Sequence, residues 1–161
     1  FREQQTRKFY KAILENGLPT DDVIVSMPIG SDPKSSIRIK QGVQFEGRPC
    51  TTHFHLLKNL DKRCLGGIRP MTGRTHQIRV HFAHKRNALL GDPLYSRLMI
   101  PAGCNKGLEE SIREFKRQAL CASRLKFLHP SSRNEIDVKI SLPPDLKNLL
   151  RALENDRDFS E

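Results

Sequence analysis

The sequence has no long hydrophobic run; its apolar stretches extend only a few residues, far short of the roughly 20 that a membrane-spanning helix needs. It does not open as a secretory signal either, because the basic residues of the first twelve, FREQQTRKFYKA, precede no uninterrupted apolar stretch. Cys50, Cys64, Cys104 and Cys121 stand at irregular spacing without a C-x-x-C pair. In a chain lacking secretory features they are expected as reduced thiols. Ser26, Ser123 and Cys121 have no elbow glycines, and neither G-x-S-x-G nor a Gly-rich phosphate loop occurs, which sets aside the familiar serine hydrolase and nucleotide-loop chemistries. No internal repeat or low-complexity tract is present. The first residue is Phe, not Met, so Phe1 is expected to be a cut end of a longer protein. An intracellular setting follows, the cytoplasm first, with nucleus and organelle left open.

What is present suits a globular domain. The 161 residues are 37% hydrophobic and 29% charged, and a chain of this mass hides about 69% of its surface on folding. The net charge is +10, and it is concentrated. Residues 58–86 hold Lys58, Lys62, Arg63, Arg69, Arg74, Arg79, Lys85 and Arg86 against the single acid Asp61. Such a concentration is the electrostatic footprint of a polyanion partner, although a solvated basic face is the plainer reading.

The N-terminal half reads as short strands. Tyr10, Ala12 and Leu14 share one face before an Asn16-Gly17 turn signal. Val23-Ile24-Val25 is a β-branched run, Ile37 and Ile39 alternate with Arg38 and Lys40, and Val43 and Phe45 alternate with Gln44 and Glu46. Thr52, Phe54 and Leu56 line another strand. A short helix is expected over 76–86 with Thr75 as N-cap, and a second over 107–118. Leu125 and Phe127, then Ile136, Val138 and Ile140, predict two strands around a His129-Pro130 turn. Pro144-Asp145 opens a helix striped by Leu146, Leu149, Leu150 and Leu153. Strands outnumber helices without strict alternation, so the fold class is α+β, a largely antiparallel mixed sheet with a few flanking helices. Residues 1–150 form the domain, and 151–161 an acidic, frayed tail.

Six histidines raise the question of metal. On an ideal helix His81 and His84 are well placed for one, but His76 is not, and no carboxylate stands within that helix. Histidines bonded to backbone or phosphate are the better expectation, and no metal is assigned. Thr72-Gly73-Arg74-Thr75 before a helix offers free N–H groups, hydroxyls and a guanidinium to a phosphate.

The order of residues across Arg69-Pro70-Met71-Thr72-Gly73-Arg74-Thr75-His76-Gln77-Ile78-Arg79-Val80-His81, followed by Gly91-Asp92-Pro93-Leu94-Tyr95, is far more specific. It strongly resembles the RluA-type pseudouridine synthase family, with its P-x-T-G-R-T-H-Q-I-R-V-H stretch and later G-D-x-x-Y. Lys8-Phe9-Tyr10-Lys11-Ala12 is similar to the family's K-x-Y-x-A strand, preceded by an F-R-E-like helix end at Phe1-Arg2-Glu3. Leu125 to Pro130 and Leu142 to Asp145 match its closing strand and last helix start.

The resemblance implies isomerisation of uridine to pseudouridine in structured RNA, with no cofactor. Tyr10 would stack on the target uracil and take its C5 proton, and Arg79 would pair with the catalytic aspartate. Arg74, His76 and Gln77, with Lys8, would bind the RNA backbone or orient the loop. The residue types fit the chemistry: a guanidinium keeps a carboxylate ionised and oriented, and a tyrosine gives an extruded base a flat face with a polar tip. Read without the resemblance, Tyr10 is a core strand aromatic and Arg79 a surface helix charge.

The family's nucleophile lies in an R-L-D-x-x-T-S-G motif upstream of the K-x-Y strand, and no such motif occurs in these residues. None of Asp21, Asp22, Asp32, Asp61 or Asp92 has a matching context. The chain is therefore expected to be the C-terminal part of a catalytic domain, inactive by itself and prone to self-association through an open sheet edge. The rival reading is a non-catalytic RNA-binding module. Ribosomal and transfer RNA are not distinguished, and no membrane partner is implied.

Overall fold

The computed structural model of the chain describes residues 6–158; Phe1-Arg2-Glu3 and residues 159–161 lie outside the described residues. The strands are β1 (Thr6–Glu15), β2 (Asp22–Ser26), β3 (Ile29–Ser31), β4 (Gln41–Val43), β5 (Thr51–Leu60), β6 (Arg63–Pro70), β7 (Leu120–Leu128) and β8 (Glu135–Lys139). The helices are α1 (Gln77–His84), α2 (Lys106–Glu114) and α3 (Pro144–Asp158). Six strands make one sheet in the order β2-β5-β6-β1-β7-β8, and β3-β4 form a separate ribbon. Every pairing is antiparallel among the described residues, as the α+β reading expects.

β1 is buried on both faces at its C-terminal end, where the period-2 alternation of a strand serves two cores. Ala12 and Leu14 join Phe54, Cys64 and Ile68 beneath Ile78 and Phe82 of α1. Ile13, from the other face, joins Leu65 and the apolar stripes of α2 and α3, Leu108, Ile112, Leu146, Leu149 and Leu153. α1 and the α2–α3 pair thus lie on opposite faces of one sheet.

Sequence periodicity predicts neither the short β3, whose Pro/Gly-rich stretch is expected as a loop, nor β6, where Gly66-Gly67 interrupts the alternation. The glycine has a packing reason. A Cβ on Gly66 would fall 1.9 Å from Phe54 Cε2, so the Phe54 ring crosses β6 only where no side chain stands.

Four further expectations are corrected. The alternation at Ile37 and Ile39 forms no strand; these residues are 48% and 62% exposed in the loop between β3 and β4, with no neighbouring strand to bury them. β4 stops at Val43, leaving Phe45 99% exposed. α2 ends at Glu114, and Phe115 turns to extended backbone to bury its ring. α3 continues through Asp158, across the division expected at residue 150, and Leu153 is buried. No helix among the described residues is long and apolar enough to cross a membrane.

Candidate active site

β6 ends at Pro70, and the chain leaves the sheet through Met71–Thr75 before α1. Gln77 closes this loop. Its Oε1 accepts from Thr72 Oγ1 at 2.7 Å and from the Arg74 N–H at 3.1 Å, and its Nε2 donates to Thr51 O at 2.9 Å and Thr52 Oγ1 at 3.0 Å. The side chain is buried and its amide is spent inside the protein. These bonds tie the Met71–Thr75 loop to α1 and to β5.

The same network continues inward. His81 is fully buried, and a carbonyl can only accept, so its Nε2–H donates to Met27 O (2.9 Å) while Nδ1 accepts from Thr52 Oγ1 (2.9 Å). Both ring nitrogens are occupied. Cys50 lies 3.3 Å from Nε2 and donates its S–H to Met27 O; burial, partly offset by Arg74, pushes this thiol up. His53 and His55 pair in register with Arg69 and Gly67, on the sheet face away from His81.

Thr75 is not the N-cap of α1. His76 takes that place with φ 55° and ψ 20°, the left-handed region, and makes no side-chain cap bond. A non-glycine there costs about 1–3 kcal/mol and persists only when its surroundings hold it. Here the carbonyl of His76 accepts the Val80 N–H at 2.9 Å, and Nδ1 meets the Tyr95 hydroxyl at 2.9 Å. Burial and then the Arg79 charge lower its pKa, with Asp92 pulling the other way. His76 is therefore neutral at pH 7 and offers hydrogen bonds rather than charge.

Arg79, three residues on, does not project freely. Its Nε and Nη2 donate to Asp92 Oδ2 and Oδ1, each at 2.8 Å, and its guanidinium carbon lies 4.9 Å from the Tyr95 ring centroid. Asp92 also accepts the N–H groups of Leu94 and Tyr95. Burial pushes the Asp92 carboxyl up, but Arg79 and these two N–H groups outweigh it and hold it below its ordinary value. Hydrogen bonding to Asp92 in turn raises Arg79 further. Gly91 precedes Asp92 with φ 71°, and a Cβ there would fall 2.5 Å from Arg117 O, so a larger residue would displace the aspartate.

Tyr10 lies on the α1 side of the sheet, half-buried against the cluster that holds Ile78 and Phe82. The β1–β7 register slips beside it: Phe9 faces Arg124 but Tyr10 faces Ala122. Ser123, the extra residue, donates its hydroxyl to Phe9 O at 3.2 Å. Bulges of this kind re-aim the neighbouring side chain. Lys8, on the same face as Tyr10, joins Thr6, Pro70, Met71, Thr72, Gly73, Leu125 and Phe127 around a cavity of about 470 Å³. Arg74 is half-exposed at the loop, its Nε reaching Pro49 O at 3.4 Å.

The basic run of 58–86 divides accordingly. Lys58 pairs with Glu154, Arg63 with Glu15 in a buried pair, and Arg79 with Asp92. Arg69 points to the opposite sheet face, over the Phe9 ring. Lys62, Arg74, Lys85 and Arg86, and outside the run Lys8, have no ion pair among the described residues.

Sequence reasoning misses Asp92 and Tyr95 as members of this site. An Asp-Pro pair after a left-handed glycine is a turn signal in which the carboxylate takes the following N–H groups, and that signal is present in the chain.

Comparison with known proteins gives a consistent set of likenesses. The sequence model described as RNA pseudouridylate synthase matches residues 1–84. The chain is 42% identical over 130 residues to a Xanthomonas campestris protein named ribosomal large subunit pseudouridine synthase D, covering 80% of this chain and 39% of that one. The Escherichia coli protein of the same name is 34% identical over 161 residues, covering 99% of this chain and 48% of that one. The chain thus spans less than half the length of these relatives. Among solved structures, human RNA pseudouridylate synthase domain containing 1 superposes with a TM-score of 0.70 at 22% identity, covering 96% of this chain and 68% of that one.

Proposed function

The chain belongs to the RNA pseudouridylate synthase family, and from that premise we propose that it forms the Tyr10- and Arg79-bearing part of a catalytic domain that isomerises uridine to pseudouridine in structured RNA. The carrying observation is spatial. Lys8, Tyr10 and the Thr72-Gly73 loop share the sheet face on which α1 holds Arg79, and a cavity of about 470 Å³ opens between Lys8 and that loop.

In this reading the target base is turned out of its stack and lies against Tyr10, whose ring presents a flat apolar face and a polar tip. Isomerisation breaks the N1–C1′ bond, rotates the base and joins C5 to C1′, and the C5 proton is lost at the end to Tyr10. Lys8 and Arg74 meet RNA phosphates. His76 and Gln77 hold the loop between them. Arg79 steadies a nucleophilic aspartate that these 161 residues do not supply, so the chain alone is inactive. No metal or organic cofactor takes part. The relatives' names support large-subunit ribosomal RNA over transfer RNA as substrate class, in an intracellular setting.

Tritium release from [5-³H]uridine in each RNA, by the protein at its natural length, tests the reading. Release from ribosomal RNA is expected; release from neither RNA would overturn it. Taken alone, the 161 residues are expected to bind RNA without releasing tritium, and to associate through the open edges β2 or β8.

A further inference from the structure

Arg79 is fixed on three sides. Asp92 takes Nε and Nη2 in a bidentate pair, the Tyr95 ring covers one guanidinium face, and packing leaves the side chain only 13% exposed. The clamp is itself anchored. Asp92 is fully buried and held by the Leu94 and Tyr95 N–H groups at 3.0 and 3.1 Å. The Tyr95 hydroxyl accepts the Gln41 N–H at 2.9 Å, from β4, and meets His76 Nδ1 at 2.9 Å. A guanidinium has five N–H donors in a fixed fork, and Asp92 engages those along one edge only. Among the described residues no acceptor reaches Nη1.

We propose that Asp92 and Tyr95 are positioning residues that hold Arg79 so that it meets a reacting carboxylate end-on, by the edge that carries Nη1. The inference rests on the pseudouridine synthase reading and deepens it. An unclamped arginine can take a carboxylate through either edge of its fork. With the Nε–Nη2 edge occupied, Arg79 keeps only Nη1 and the outer hydrogen of Nη2 for a second carboxylate, so the direction of approach is set. The resemblance gives Arg79 a carboxylate partner; the geometry adds a different, buried carboxylate whose work is to aim that contact.

The test uses the protein at its natural length, with Asp92→Asn, Arg79→Lys and the double variant assayed for kcat and for KM toward RNA. Misaiming a catalytic group by an ångström costs about 100-fold, so Asp92→Asn is expected to lower kcat by that order while KM moves less than about threefold. In the Arg79→Lys background, Asp92→Asn should then cost nothing further in kcat. An unchanged kcat in Asp92→Asn, or losses that multiply in the double variant, would overturn the proposal. Should Asp92→Asn fail to fold, Tyr95→Leu carries the same expectation, a kcat loss at constant KM, and the same contrary result. A wild type that makes no pseudouridine overturns the functional reading instead. The clamp then stands or falls on the exchange rate of the Arg79 Nε–H by NMR, slow in the wild type and fast in Asp92→Asn; equal rates would overturn it.

Discussion

Gln77, the first residue of α1, is bonded through Oε1 to the hydroxyl of Thr72, five residues earlier, at 2.7 Å. The same oxygen takes the Arg74 N–H, and the amide nitrogen crosses to Thr51 and Thr52 of β5. One buried amide therefore ties loop, helix and sheet together.

Replacing it by Ala strands several of those groups. A buried donor or acceptor left unsatisfied costs about 1–3 kcal/mol, so Gln77→Ala is expected to lower stability by at least that order and to free the loop. Denaturant melts together with proteolysis between Met71 and Thr75 check this. A melt and a cleavage rate equal to wild type would contradict it.

Gly66→Ala places a Cβ within the Phe54 ring. Overpacking of this kind costs about 1–3 kcal/mol, and Phe54→Leu in the same chain should recover part of the loss. Additive losses in the double variant would show that the ring is not the obstacle.

These positions also show how far the sequence carries the fold. β1, β5 and β7 are legible because one or both faces meet a core, so alternation reports burial, whereas β8 is legible from its β-branched residues alone, Val138 staying 47% exposed. β6 is not, because the glycines that admit Phe54 interrupt the alternation. Ile37 and Ile39 alternate equally well, yet no strand lies beside them. At the site, the two family motifs contain His76, Arg79, Asp92 and Tyr95, but nothing in their spacing pairs one with another. Asp92 lies 13 residues from Arg79, and only the fold brings the two together.

Lys8 and Arg74 are unpaired cations at the cavity and loop, whereas His76 is held neutral. Each cation that meets a phosphate contributes roughly 0.7–1 to the slope of log K against log salt. Lys8→Ala and Arg74→Ala are expected to reduce the slope for RNA by that amount each, and His76→Gln to leave it unchanged at about pH 7.5, well above the ordinary imidazole value. A reduced slope in His76→Gln would mean that the imidazole carries charge.

The Asp92 carboxyl titrates below its ordinary value. A depressed folded pKa adds stability above the unfolded value near about 3.9, and that stability is lost as pH falls through the folded one. Wild type should therefore exceed Asp92→Asn in Tm at neutral pH, with the gap closing below about pH 4. A gap that stays constant into acid would contradict the pairing with Arg79.

The most direct measurement is pseudouridine formation in large-subunit ribosomal RNA by the protein at its natural length, wild type beside Arg79→Ala. The account predicts product from wild type, and near-complete loss in Arg79→Ala with RNA binding retained. Wild-type turnover in Arg79→Ala would contradict it.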